Sequence, residues 1–202
     1  MLPGRPQGAS EPDTVEAWWR LLWTDAGLAL HAAVYVWAAT RFAPGLALDV
    51  GCEYGFGAAL LALVNPRLQV LALDSDREAL TCAVRLHPGV PAAYVEGDAR
   101  ALPLADGSLS GLCLVNLLHL TVEPERVLLE CRRVVDVGAP VIIALPRSGS
   151  ETAKAECLFG LAREVLGSIH VPQAIAVAAP SLPRRTFDLR EQALILAECH
   201  RA

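Results

Sequence analysis

Short continuous apolar runs alternate with longer stretches of helical period along most of this chain, and Gly, Pro, Asp and Asn punctuate the junctions. Five runs read as strands, at 46–50, 68–73, 92–96, 112–116 and 141–144. Helical patterns fill the gaps, including 58–63 directly after the first strand. Another spans 124–135, where Pro124 and Glu125 suit a helix start and Arg132 and Arg133 suit its end. Before the strands, Asp13 reads as an N-cap with Glu16 in capping-box position, opening a helix with Val15, Trp18, Trp19, Leu22 and Trp23. A second helix, 26–42, places Leu30, Val34 and Trp37 on one face and His31, Tyr35 and Ala38 on the adjoining one. After the fifth strand a helix over 151–166 is expected, followed by two closing strands at 174–179 and 193–197. Strand–helix alternation of this kind predicts an α/β fold: a doubly wound sheet, mostly parallel with an antiparallel closing strand, and helices on both faces.

Composition narrows the class. The 202 residues are 53% apolar and 19% charged, enough for one sizeable core and unlike a disordered chain. Residues 1–12 are rich in Gly, Pro and polar groups and read as a disordered N-terminus; 13–202 read as a single domain, with 13–42 as an N-terminal helical cap. A net charge of −5 argues against a nucleic-acid partner, since phosphate binding needs a basic face. The six cysteines, Cys52, Cys82, Cys113, Cys131, Cys157 and Cys199, show no C-x-x-C spacing and read as small hydrophobes in a reduced, cytoplasmic protein. No uncharged run has the length and composition of a bilayer span, so no membrane partner is expected.

The candidate chemistry lies where the strands end. The first strand runs into Asp49-Val50-Gly51-Cys52-Glu53-Tyr54-Gly55-Phe56-Gly57, an acid followed by a glycine-rich turn and a helix. In an open α/β sheet a ligand sits beyond the carboxyl ends of the strands, and glycines there let backbone approach it closely. Asp74-Ser75 ends the second strand, where a carboxylate suits both hydroxyls of a ribose. Asp98-Ala99 follows the third strand and Asn116 ends the fourth. Four strand ends thus deliver polar groups to one sheet edge.

These motifs, with Asp98-Ala99-Arg100-Ala101-Leu102-Pro103, Asn116-Leu117-Leu118-His119 and the helix from Pro124, resemble the class I S-adenosylmethionine-dependent methyltransferases, particularly small stand-alone members acting on small molecules. The resemblance covers residues 27–145. It implies a Rossmann-like fold with S-adenosylmethionine as cofactor and an unidentified small-molecule acceptor. It also implies roles: Asp49 for the methionine ammonium, Gly51 and Cys52 for close backbone approach, and Asp74 with the neighbouring Ser75 for the ribose. Asp98 would accept from the adenine amino group, the Ala99 amide would lie at the ring edge, and Asn116 would lie near the reactive methyl. Glu53 stands where the family usually has glycine and faces the cofactor from the same turn. No metal is implied.

His119, following the fourth strand, is the candidate catalytic base, because an imidazole can take a proton from a hydroxyl or amine near neutral pH. His31 and Tyr35 are read as packing against the sheet ahead of lining a pocket. Two other readings stay open at this point. Glu53 motivates a non-catalytic S-adenosylmethionine-binding or partner subunit, and the glycine turn alone would also suit a nicotinamide-dependent oxidoreductase, although Gly51, Gly55 and Gly57 fit G-x-G-x-x-G poorly. The Trp-rich first helix offers a contact for a homodimer.

Overall fold

The computed structural model describes residues 26–146, 151–172, 174–177, 185–188 and 194–201. The expected helix from Asp13, the first 12 residues and Trp18, Trp19 and Trp23 lie outside them. In chain order the described elements are α1 (Ala26–Arg41), β1 (Gly45–Val50), α2 (Phe56–Val64), β2 (Leu68–Asp74), α3 (Arg77–Leu86), β3 (Ala92–Glu96) and β4 (Gly111–Val115). They continue with α4 (Pro124–Val134), β5 (Pro140–Pro146), α5 (Glu151–Leu166), β6 (Gly167–His170), β7 (Ala174–Val177), β8 (Arg185–Asp188) and β9 (Leu194–Arg201). One sheet runs in the order β3-β2-β1-β4-β5-β9-β6. Strands β1 to β5 are mutually parallel, and β9 lies antiparallel to both β5 and β6.

The strand order reverses between β1 and β4, so these two neighbours send their chains to opposite sides and leave a crevice beyond their carboxyl ends. Side chains alternate across the sheet. Ala47, Cys113 and Ile142 face a core shared with α1 and α2, whereas Leu48, Leu112 and Ile143 face one shared with α4 and α5. Asp49 is in phase with Ala47 and so points toward α1.

Helix α1 is buried on nearly all sides, with Ala32, Ala33, Val34, Val36 and Ala38 sealed from solvent, because it packs on α2 and the sheet and is covered in turn by β7. Its C-terminal end is tied down by Arg41, whose guanidinium stacks over Trp37 and meets the buried Glu198 of β9 at 2.9 Å. The Asn65 amide group donates to the carbonyls of Ala39 and Phe42, closing the same end onto α2.

The tail departs from expectation. The apolar run that begins at Ala174 is not a strand of the main sheet; its described part, β7, pairs with β8 in a separate two-stranded ribbon. The sheet edge is instead β6, four residues that leave α5 without an intervening loop. The second expected tail strand is β9, which does close the sheet.

Candidate active site

The first strand end holds the most constrained group. Asp49 is fully buried, and its Oδ1 accepts a hydrogen bond of 3.0 Å from the Tyr35 hydroxyl. Gly57 makes this contact possible: any Cβ there would occupy the Tyr35 ring. The other carboxylate oxygen, Oδ2, is buried and has no hydrogen-bond partner. Burial pushes the Asp49 carboxyl up to about 7, and the like charges of Asp74 and Glu53 add to the rise. The Tyr35 hydrogen bond and the Ala58 amide oppose it. A buried, half-satisfied acid of this kind is costly unless a donor or cation completes it.

The glycine turn wraps the same corner. Gly51 and Cys52 both donate their amides to the Leu73 carbonyl, at 2.8 and 3.2 Å, which fastens the turn to β2. What Gly51 contributes is therefore room: at φ 75° a side chain is disfavoured, and a Cβ would stand 2.9 Å from a Leu117 methyl. The Glu53 amide donates to Asp74 Oδ2 at 2.8 Å, and the Asp76 amide donates to Asp74 Oδ1 at 2.9 Å. Asp74 thus organises the turn and still has lone pairs for further donors. Asp76 caps α3 by accepting from Glu78 and Ala79, and Ser75 beside it is exposed. The Cys52 thiol is pushed well up by burial first and by the surrounding acids second, so it is a packing group and no nucleophile.

Glu53 adopts φ 46°, the left-handed region that an L side chain enters at a cost of roughly 1–2 kcal/mol. Glu53→Gly is therefore expected to raise the melting temperature by a few degrees, at about 2–4 °C per kcal/mol for a chain of this size, read by calorimetry. An unchanged or lower value would mean that Glu53 side-chain contacts outweigh the backbone strain.

The remaining strand ends differ from one another. Asp98 is exposed and gripped by Arg100, whose Nε and Nη2 reach it at 2.8–3.1 Å while its backbone amide bonds Oδ1 at 2.8 Å; these bonds hold the carboxyl down at about 2. Arg100 also reaches Glu123 at 2.8 Å. Ala99 beside it is half-buried. Asn116 leaves β4 at φ 56°, its amide donates to the Ala144 carbonyl, its side-chain nitrogen meets His31 Nε2, and its Oδ1 is buried without a partner. His119 is half-buried in the following turn, and its carbonyl accepts from Lys154 of α5.

Asp49, Gly51, Cys52, Glu53 and Asp74 thus share one corner, and His31 and Tyr35 of α1 close it. These two residues, one helical turn apart, meet the ends of β4 and β1: Tyr35 packs in the core as expected, and both also carry a polar contact at the strand ends. Their signal in the sequence was two polar side chains at i, i+4 spacing in a helix that is otherwise apolar as far as Ala39. Among the described residues no group of three or more His, Cys, Asp or Glu is placed to hold a metal ion. Among them, too, no helix is long and apolar enough to cross a membrane.

Residues 48–143 match a family model described as a methyltransferase domain. An uncharacterized 37.1 kDa transposon-borne protein of Streptomyces fradiae is 34% identical over 148 residues, covering 72% of this chain and 42% of that protein. A Mycobacterium tuberculosis protein named a probable S-adenosylmethionine-dependent methyltransferase is 28% identical over 116 residues, covering 57% of this chain and 41% of its own length. The chain therefore spans less than half the length of these relatives. Among solved structures, a SAM-dependent methyltransferase from Thermotoga maritima has the same fold, with a TM-score of 0.62, 18% identity and coverage of 93% and 94% of the two chains.

Proposed function

We propose, from the premise that the chain belongs to the class I S-adenosylmethionine-dependent methyltransferases, that it transfers a methyl group to a small-molecule acceptor. The observation that carries the reading is the buried, unpartnered oxygen of Asp49 beside a glycine turn at the sheet's switch point. Those donors and acceptors fit the cofactor, which is cationic and carries no phosphate: the strand ends offer carboxylates, and the turn's Gly51 and Cys52 amides are already spent on Leu73. When bound, the cofactor supplies a methyl on a sulfonium, open to direct displacement by a nucleophile.

The chain's own residues then have distinct tasks. Asp49 receives the ammonium, and Gly51 and Cys52 line the approach with backbone. Asp74 takes the ribose hydroxyls through the lone pairs that Glu53 and Asp76 leave open, with Ser75 beside it. Asp98 receives the adenine amino group, a task it must share with Arg100, and the Ala99 amide flanks the ring. Asn116 offers its buried Oδ1 near the reacting end. His119 takes the acceptor's proton where the nucleophile carries one. Because displacement needs alignment above all, holding donor and acceptor in line supplies most of the rate, and the cap 13–42 helps through α1.

The test is calorimetric titration with S-adenosylmethionine and with S-adenosylhomocysteine, followed by transfer of a labelled methyl to a panel of small hydroxyl, amine and carbon acceptors. Binding of both ligands with a labelled product is expected. Binding without any product would favour the non-catalytic subunit that the Glu53 substitution suggests. No binding would remove the transferase reading.

A further inference from the structure

We propose that Tyr35 is a positioning residue that favours the ionised form of Asp49, and that capture of the cofactor's ammonium at the end of β1 draws off the proton that this acid still carries. This rests on the cofactor reading above. The geometry has three parts. Tyr35 places its hydroxyl 3.0 Å from Asp49 Oδ1, and an O–H donated to a carboxylate favours the ionised form. Oδ2, by contrast, is buried and unpartnered, which disfavours ionisation until something positive arrives. Gly57 leaves the space that the phenol ring occupies when it reaches this acid.

The groups around Asp49 make it the one poised to titrate. From α1 it faces Tyr35, whose phenol burial drives far above its ordinary range. From the turn it faces Glu53 and Cys52, from β2 Asp74, from β3 Tyr94 and from β4 Cys113. The Cys52 and Cys113 thiols and the Tyr94 phenol are all pushed up, first by burial, and so stay neutral, while Glu53 and Asp74 oppose a further negative charge. From α2 the Ala58 amide supports the anion. His31, one helical turn before Tyr35 on α1, is engaged by the Asn116 side chain at the end of β4. A bound ammonium would complete the unpartnered Oδ2, and where the acid is protonated, binding it would expel the proton.

The experiment is titration of S-adenosylmethionine into the full chain from about pH 6 to about pH 9, in paired buffers of different ionisation heat. Wild type is expected to bind most tightly just above the Asp49 value of about 7, to lose about tenfold per pH unit below it with release of a proton on binding, and to weaken again at the alkaline end as the ligand's own ammonium deprotonates. Tyr35→Phe keeps the ring in place on Gly57 and removes only the hydroxyl. The acid limb should then begin about half to one pH unit higher, with the high-pH affinity nearly unchanged. Equal weakening at every pH would mark a purely structural role and overturn the proposal. S-adenosylhomocysteine keeps the ammonium and lacks the sulfonium, so it should share the limb; a limb seen with S-adenosylmethionine alone would overturn the assignment to the ammonium. Binding with a flat pH profile and no proton release in wild type would overturn the linkage while leaving the cofactor reading intact. Absence of binding at every pH would bring both down.

Discussion

Asp74→Ala is expected to weaken S-adenosylmethionine binding about a hundredfold while leaving the fold in place. Two effects combine. The first is direct: a carboxylate accepting two ribose hydroxyls makes charge-assisted bonds worth roughly 1.5–3 kcal/mol each before the remaining contacts readjust. The second is indirect. Asp74 Oδ2 holds the Glu53 amide at 2.8 Å, and Glu53 sits in the left-handed region. Without that acceptor the strained residue loses the bond that supports its conformation, and the turn is free to relax into the cradle. Stability should change little, because Asp74 is only half-buried and α3 keeps its own cap at Asp76. Titration calorimetry beside a thermal melt separates the two readouts. Asp74→Asn divides the contributions, since an amide oxygen can still accept from the Glu53 amide but lacks the charge. Affinity for the Asn variant should lie between wild type and Ala; equal loss in both would place the whole effect in the ribose contact. Full affinity in Asp74→Ala would show that the second strand end has no part in the site.

Much of this corner was legible in the sequence because its determinants are local. An acid, a glycine turn and a helix fall within a dozen residues, and the apolar runs on either side have the length of buried strands. Asp74, Asp98 and Asn116 each end or follow such a run, so one rule places them along one edge once the strands are parallel. What was not legible depends on long-range packing. Nothing near Tyr35 announces that its hydroxyl will meet Asp49, because that requires α1 to lie across β1 and Gly57 to be small at the contact. Arg100 provides the converse case. It is two residues from Asp98 in sequence, yet its grip on that carboxylate follows from a turn geometry that a strand-end rule does not describe. The sheet edge failed for another reason. β6 is a four-residue Gly-Ser-Ile-His strand without a run of apolar positions, and its identity comes from pairing with β9. The more apolar segment beginning at Ala174 attracted the assignment instead.

The contact between Gly57 and Tyr35 sets the largest expected loss of stability, and a double-mutant cycle should isolate it. Gly57→Ala places a methyl inside the phenol ring, so the ring must leave its well-packed position; overpacking of this kind costs typically 1–3 kcal/mol. Tyr35→Ala removes a ring that is 6% exposed and leaves a cavity between α1, α2 and β1, at about 3–5 kcal/mol, or a fall in melting temperature on the order of 10 °C. If the two residues clash as the geometry requires, the double variant is less damaged than the sum, by at least about 1 kcal/mol, because the new methyl fills part of the space that the ring vacated. The functional readout follows a different order. Both single variants take the hydroxyl away from Asp49, so both should bind S-adenosylmethionine less tightly near neutral pH, and the double variant should recover stability without recovering affinity. Additive melting temperatures would mean that the ring escapes Gly57→Ala by another route. Affinity that returned together with stability would show that Asp49 needs the space to be filled rather than the hydroxyl to be present.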